Sequence, residues 1–145
     1  MAAPADGRGG WIAVASADHV AAGAREGLFH CSHGDGRAAA RPRRGDRFAY
    51  YAPRERLDPA APAVQAFVAL GEILDDAPQP RLMAPGVEGM VRRARYEPVG
   101  RAPVRPMLPD LGFVKDPRHW GMAFRRGLFS VDAADFARIE AALRG

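Results

Sequence analysis

Ser16 closes an apolar run, WIAVAS at positions 11–16, where a helix begins. It is an N-cap residue by type. A helix N-terminus with a hydroxyl beside it is also a ready site for a ligand carbonyl or phosphate. A second polar group follows in LFHCSHG at 28–34, where His30, Cys31, Ser32 and His33 interrupt a strand-like run. Alternation sends His30 and Ser32 to one face, the expected wall of a pocket. A third group is HWGMAFRRGLF at 119–129. Trp120, between His119 and Gly121, has neighbours unusual for core and is expected to offer a flat ring on which a base can stack, reinforced by arginine. Of Arg125 and Arg126, one is expected to face outward and the other to reach a ligand or phosphate. The segment 37–47 adds Arg37, Arg41, Arg43, Arg44 and Arg47, readable as a solvated loop or as a phosphate-contacting rim.

Other chemistries find less support. A structural zinc site needs four ligands, usually in spaced pairs. Cys31 is the only cysteine and the histidines are scattered at 19, 30, 33 and 119. No metal and no cofactor is expected. A thiol or metal-dependent hydrolase around Cys31 has no supporting motif. Neither a P-loop nor a dinucleotide-binding glycine fingerprint follows a strand, and nothing reads as a catalytic triad or dyad.

These residues need elements to hold them. The chain has 145 residues, enough for one domain with a proper core. Residues 1–10 are small, polar and Gly-rich and are expected to be a disordered lead-in to a domain at 11–145. A strand at 11–15 leads to a helix at 18–26, with Val20 and Ala24 on one face and Gly27 at the C′ position. Strands are expected at 28–32, 47–52, 64–74, 91–97 and 121–131. On the strand at 47–52, Phe48 and Tyr50 share one face and Ala49 and Tyr51 the other. Phe67, Ala69 and Ile73 are expected on one side of the strand at 64–74, with Gly71 marking a bend or bulge. Residues 76–89 read as an irregular excursion, and 103–111 as a short helix or 3₁₀ turn. Asp132 caps a last helix striped by Phe136, Ile139 and Leu143. Strands do not alternate with helices, so a doubly wound parallel sheet is disfavoured. A small α+β fold fits better, a strongly bent barrel with helices outside. Such a sheet would bring Ser16, His30, Ser32 and Trp120 to one cavity.

The formal charge of +4 and pI near 10 agree with a nucleic-acid partner, although a GC-rich genome enriches arginine anyway. No apolar run approaches the roughly 18–20 residues of a membrane span. No signal peptide is visible, and a lone cysteine suits a reducing, cytoplasmic setting.

In order and spacing, WIAVASADHV, SHG at 32–34, RRGDRFAYYAP, QAFVALGEILDD, PVRPMLPDLGF and HWGMAFRRGLF resemble the EVE domain family. That family is a branch of the PUA-like superfamily related to YTH domains, and the likeness is closest to its small bacterial stand-alone members. It spans residues 11 to about 143. The resemblance implies a PUA-like bent barrel and non-enzymatic binding of RNA or DNA through a pocket for a modified or flipped base. By position, it places Ser16, the wall from His30 to His33, Tyr50 or Tyr51, and Trp120 at that pocket. Arg41, Arg43, Arg44 and Arg125 are the expected phosphate contacts. The chain lacks the second-strand tryptophan common in YTH-type readers; Phe29 is the nearest aromatic. The alternatives are a small-molecule or free-nucleoside binder using the same pocket, and the hydrolase around Cys31.

Overall fold

The computed structural model describes residues 8–31 and 35–145. Eight strands form one curled, mixed sheet: β1 (Arg8–Val14), β2 (Leu28–Phe29), β3 (Arg47–Arg54), β4 (Ala63–Ile73), β5 (Gln79–Ala84), β6 (Val87–Glu97), β7 (Ala102–Pro103) and β8 (Leu128–Asp132). The order is β2-β6-β4-β3-β1-β8, with β5 paired to β6 and β7 to β4. Among the described residues, three α-helices, α1 (Ala17–Glu26), α2 (Gly36–Ala39) and α3 (Ala133–Arg144), and two 3₁₀ segments (Arg105–Asp110 and Pro117–Arg126) accompany the sheet. No helix among the described residues is long and apolar enough to cross a membrane.

β1 and β3 are parallel, with Val14 opposite Tyr51; every other pairing is antiparallel. A parallel pair needs a crossover, and α1, β2 and α2 supply it. The carboxyl ends of β1 and β3 therefore emerge side by side.

Both faces of the sheet are covered. On one, Ile12, Ala49, Tyr51, Phe67 and Leu70 pack with Phe136, Ile139 and Leu143 of α3. On the other, Trp11, Phe48, Tyr50 and Ile73 pack with Val20 and Phe29. The alternation expected along β3 is present. Asp132 caps α3 by accepting from the Asp135 amide at 2.8 Å, and Gly27 ends α1 with φ of 70°.

Several expectations are corrected. β1 begins at Arg8, so the glycines before Trp11 are structural. A Cβ on Gly10 would lie 2.4 Å from the Phe136 ring, so the bare backbone is what lets α3 lie flush on β1. On α1, Val20 and Gly23 face inward while Ala24 is exposed. Residues 79–97, read in part as irregular, form the β5–β6 hairpin. The bend in β4 is a bulge at Val68, since Tyr50 faces Ala69 but Tyr51 faces Phe67. The extra residue swings Phe67 to the α3 face, away from Ala69 and Ile73. Gly71 serves another end: its Cβ would meet Phe48 Cζ at 2.5 Å and the Arg95 carbonyl at 2.7 Å. Residues 117–126 are 3₁₀ rather than strand; Asp116 opens the segment by accepting from the Arg118 amide at 3.0 Å.

Candidate functional site

Where β1 and β3 end together, the chain leaves a cavity of about 630 Å³. Hydrogen bonds stitch its rim. The Ala15 amide donates to the Tyr51 carbonyl (3.2 Å), the Asp18 amide to that of Glu55 (3.0 Å), and the Val14 amide to that of Gly127 (2.9 Å). The lining comes from the β1–α1 junction (Ser16, His19), the exit of β2 (His30, Cys31), the end of β3 and its loop (Arg54, Arg56, Leu57), the β5–β6 hairpin (Met83, Val87) and the end of the second 3₁₀ segment (Phe124, Arg125, Arg126).

The charge is one-sided. Arg54, Arg56, Arg125 and Arg126 line the cavity with two histidines, and no carboxylate is among the described lining residues. Low-dielectric walls and a single sign of charge focus potential on the space between them, which favours an anionic ligand. Arg54 is steadied by a bond from Nη1 to the Ala61 carbonyl (2.9 Å), and Arg126 lies 4.3 Å from the Phe129 ring centroid.

Ser16 is 3% exposed at the N-cap of α1, yet its side chain does not cap the helix. Its hydroxyl donates to Asp18 Oδ1 at 2.6 Å, the main reason the Asp18 carboxyl titrates below its usual range. With its proton committed, Ser16 Oγ meets a ligand as an acceptor. His30 is fixed through its backbone. The Tyr50 hydroxyl accepts from the His30 amide at 3.1 Å and donates to the His30 carbonyl. Burial, then the neighbouring charge of His19, lowers the His30 pKa; the two rings are 6.2 Å apart. Burial, assisted by Asp35, pushes the Cys31 thiol up to about 12. A thiol held protonated is a poor nucleophile.

Of the predicted pocket residues, Ser16, His30 and Arg125 do line this cavity. Ser32 and His33 lie outside the described residues. Tyr50 is buried in the core as the brace on His30. Tyr51 is also buried, but it stacks on Phe124 at 3.9 Å and 18°, backing a ring that does reach the cavity. Trp120 is corrected outright, since it does not share the cavity with Ser16. It stands edge-on to Tyr51 and Phe124, under Arg105, at a separate recess of about 380 Å³. The 3₁₀ turn explains the difference, because it carries Phe124 and Arg125 to the cavity and leaves Trp120 on its far side.

The expected arginine rim is corrected as well, because Arg41, Arg43 and Arg44 do not line the cavity. Arg41 Nη1 donates to the Leu128 carbonyl (3.2 Å) and its guanidinium sits 5.0 Å from the Trp11 ring centroid. The Arg43 amide donates to Asp46 (2.8 Å), and Arg44 makes a bidentate pair with Asp76 (2.9 Å). The cationic rim instead comes from Arg54 and Arg56, in the stretch PRERL that leaves β3, and from both arginines of 125–126. The position of Arg54 and Arg56 just past the strand expected at 47–52 is the available signal.

No protein-family model matches the chain. Curated relatives do, over most of its length. A UPF0310 protein of Mycobacterium avium (strain 104) is 33% identical over 133 residues, covering 92% of this chain and 96% of that one. A UPF0310 protein of Mycolicibacterium vanbaalenii is 34% identical, covering 92% and 91%. UPF0310 protein YdcG of Bacillus subtilis (strain 168) is 32% identical, covering 92% and 90%. Among solved structures, the NMR structure of Rpa0253 from Rhodopseudomonas palustris superposes with a TM-score of 0.51 over 92% of this chain and 91% of that one. Its identity is 15%, so this likeness speaks for the fold alone.

Proposed function

The chain belongs to the UPF0310 family, and from that premise we propose that it is a non-enzymatic, cytoplasmic nucleic-acid-binding domain of the EVE, PUA-like type. It takes one modified or flipped base of RNA or DNA into the cavity at the ends of β1 and β3.

The observation that carries this reading is the cavity's composition: among the described lining residues are four arginines, two histidines and no carboxylate, together with the apolar side chains of Val14, Leu57, Met83, Val87 and Phe124. Its volume of about 630 Å³ falls inside the roughly 300–1,000 Å³ usual for small-ligand clefts. A base is flat, apolar on its faces and polar at its edge. Phe124, stacked on Tyr51 and 6% exposed, brings an aromatic contact to the lining. Ser16 Oγ accepts from the base edge and the His30 ring completes the edge contacts. The arginines hold the flanking phosphates, which position the strand without reading it. Extruding a base costs a few kcal/mol, least for an unpaired one, and stacking plus edge bonds must offset that. Binding rather than thiol hydrolysis is favoured by the protonated Cys31 thiol.

The test is a titration with single-stranded RNA and DNA oligonucleotides, with and without modified bases, between about 50 and 200 mM salt. A steep fall of affinity with salt and a preference for one modified base are expected. Affinity for free nucleosides with a flat salt response would replace this reading with small-molecule binding. Absence of binding to every strand would end it.

A further inference from the structure

We propose that the recess beside Trp120 is a second nucleotide subsite, holding the nucleotide next to the one in the main cavity while Arg126 contacts the phosphate between them. The proposal rests on the nucleic-acid reading of the main cavity and gives the strand a path away from it.

The recess has a volume of about 380 Å³ and is walled by Phe113, Lys115, Trp120, Met122 and Arg126. Arg126 lines this recess and the main cavity alike. Its Nε donates to the Ala123 carbonyl at 3.4 Å, which leaves the terminal nitrogens of a side chain bordering both spaces for the phosphate that joins two successive nucleotides. Arginine suits that position because its planar fork of donors matches a phosphate.

The walls of the recess supply what a base needs without reading its identity. Trp120 is half-buried, held edge-on by Tyr51 and Phe124, so its indole is rigid. The Arg105 guanidinium lies 5.3 Å from the indole centroid, a cation that extends a stack once a base joins it. Met122, 57% exposed, puts an adaptable apolar side chain at the same recess. The charge is again complementary to a strand. Lys115, Arg126 and one carboxylate, Asp116, line the recess; Arg118 pairs with Asp116, and Arg105 lies over the Trp120 ring. The Asp116 oxygens are already engaged by His119 Nδ1 (3.0 Å) and the Arg118 amide (3.0 Å). Contacts of this kind tolerate any base, which is the property required of a flanking position.

The chain carries its own reporter. It has two tryptophans; Trp11 is 2% exposed in the core, and Trp120 faces the recess. The experiment follows tryptophan emission of the full chain as a single-stranded hexanucleotide of mixed sequence, in DNA and RNA forms, is added. AMP and CMP serve as ligands too short to occupy both subsites. The expected result is saturable quenching by the hexanucleotide and none by the mononucleotides. Trp120→Phe should abolish the quenching while the Trp11 emission still reports a folded core. Trp120→Ala should weaken hexanucleotide binding roughly 5- to 150-fold, the stacking contribution of one base. Lys115→Gln should weaken it less and lower the salt slope by about one. If a labelled hexanucleotide binds while Trp120 emission and the Trp120→Ala affinity stay unchanged, the subsite is wrong and the cavity reading stands. If quenching persists but binding ignores loss of Arg56 and Arg125, the cavity reading is wrong and the recess binds the strand by itself. A hexanucleotide that does not bind in either form overturns both.

Discussion

The Tyr50 hydroxyl holds both backbone polar groups of His30, accepting from the amide at 3.1 Å and donating to the carbonyl. His30 is thereby fixed at the cavity by a core residue on β3, although no strand pairs with it there. Tyr96 holds the start of β2, donating to the Leu28 carbonyl at 2.7 Å. One wall of the site is therefore set by two phenols, Tyr50 in the core and the half-buried Tyr96.

Tyr50→Phe is expected to cost about 1–3 kcal/mol, the price of leaving two part-buried backbone groups unmet. Urea unfolding measures it. The same variant should loosen the cavity, so ligand affinity should fall even under conditions where the protein stays folded. Unchanged stability would show that water replaces the hydroxyl.

Cys31 should resist thiol reagents at neutral pH in the native state and react only on unfolding. Its thiol is raised from 9.0 to about 12, so the folded state holds the proton that the unfolded chain releases. Burial raises Tyr51 to about 12 in the same way. For such groups the stability is whole below the unfolded pKa and is lost as pH climbs through the folded one. Stability should therefore decline between about pH 9 and 12, and Cys31→Ala should reduce the slope of that decline. Alkaline titration of the unfolding midpoint reads it.

His30 has the opposite sign on the acid side. Its pKa is lowered by burial and then by His19, so the native state keeps the ring neutral. That contribution is present above the unfolded value of about 6.5 and is lost as pH falls through the folded one. Unfolding midpoints should drop on going from about pH 7.5 to 5.5, and His30→Leu should remove part of that drop. An anionic ligand would reverse the preference locally, so binding should take up protons; titration calorimetry in buffers of different ionisation heat detects this.

Gly71→Ala should be among the most damaging single-methyl changes in the chain. The new Cβ would stand 2.5 Å from Phe48 Cζ and 2.7 Å from the Arg95 carbonyl. Strand β4 is flanked there by β3 and β6 and has little room to retreat. A loss of about 1–3 kcal/mol or more is expected in thermal or urea unfolding.

The two sets of arginines should behave differently. Replacing Arg56 and Arg125 with Gln should flatten the salt dependence of strand binding by about 0.7–0.9 per lost contact, with little change in stability. Replacing Arg41 should instead lower stability, because its guanidinium ties the Leu128 carbonyl to the Trp11 ring. Replacing Arg44 removes an exposed pair with Asp76, worth about 0–1 kcal/mol, and should leave binding unchanged. A salt slope that tracks Arg41 and Arg44 would return the rim to the segment where the sequence alone suggests it.

What the chain determines locally is read from local rules. Asp132 before a 3.6-residue stripe, Gly27 after α1, and the alternation of Phe48, Ala49, Tyr50 and Tyr51 depend only on near neighbours, and each is found as expected. Ser16 and His30 share a cavity although β1 and β2 stand four places apart in the sheet, because the curl of the sheet closes that distance, as the expected bent barrel requires. The tertiary structure decided the rest. One extra residue at Val68 reverses the face of Phe67, and only the partner strand defines which residue is extra. Residues 121–126 begin the expected strand at 121–131, yet they coil as 3₁₀ with the residues before them, and Trp120 leaves the cavity with that segment. Arginine presents the same problem in its purest form. Twenty similar guanidiniums look alike in a sequence. Whether one grips a carbonyl, as Arg41 does, or lines a cavity, as Arg125 does, depends on atoms many residues away.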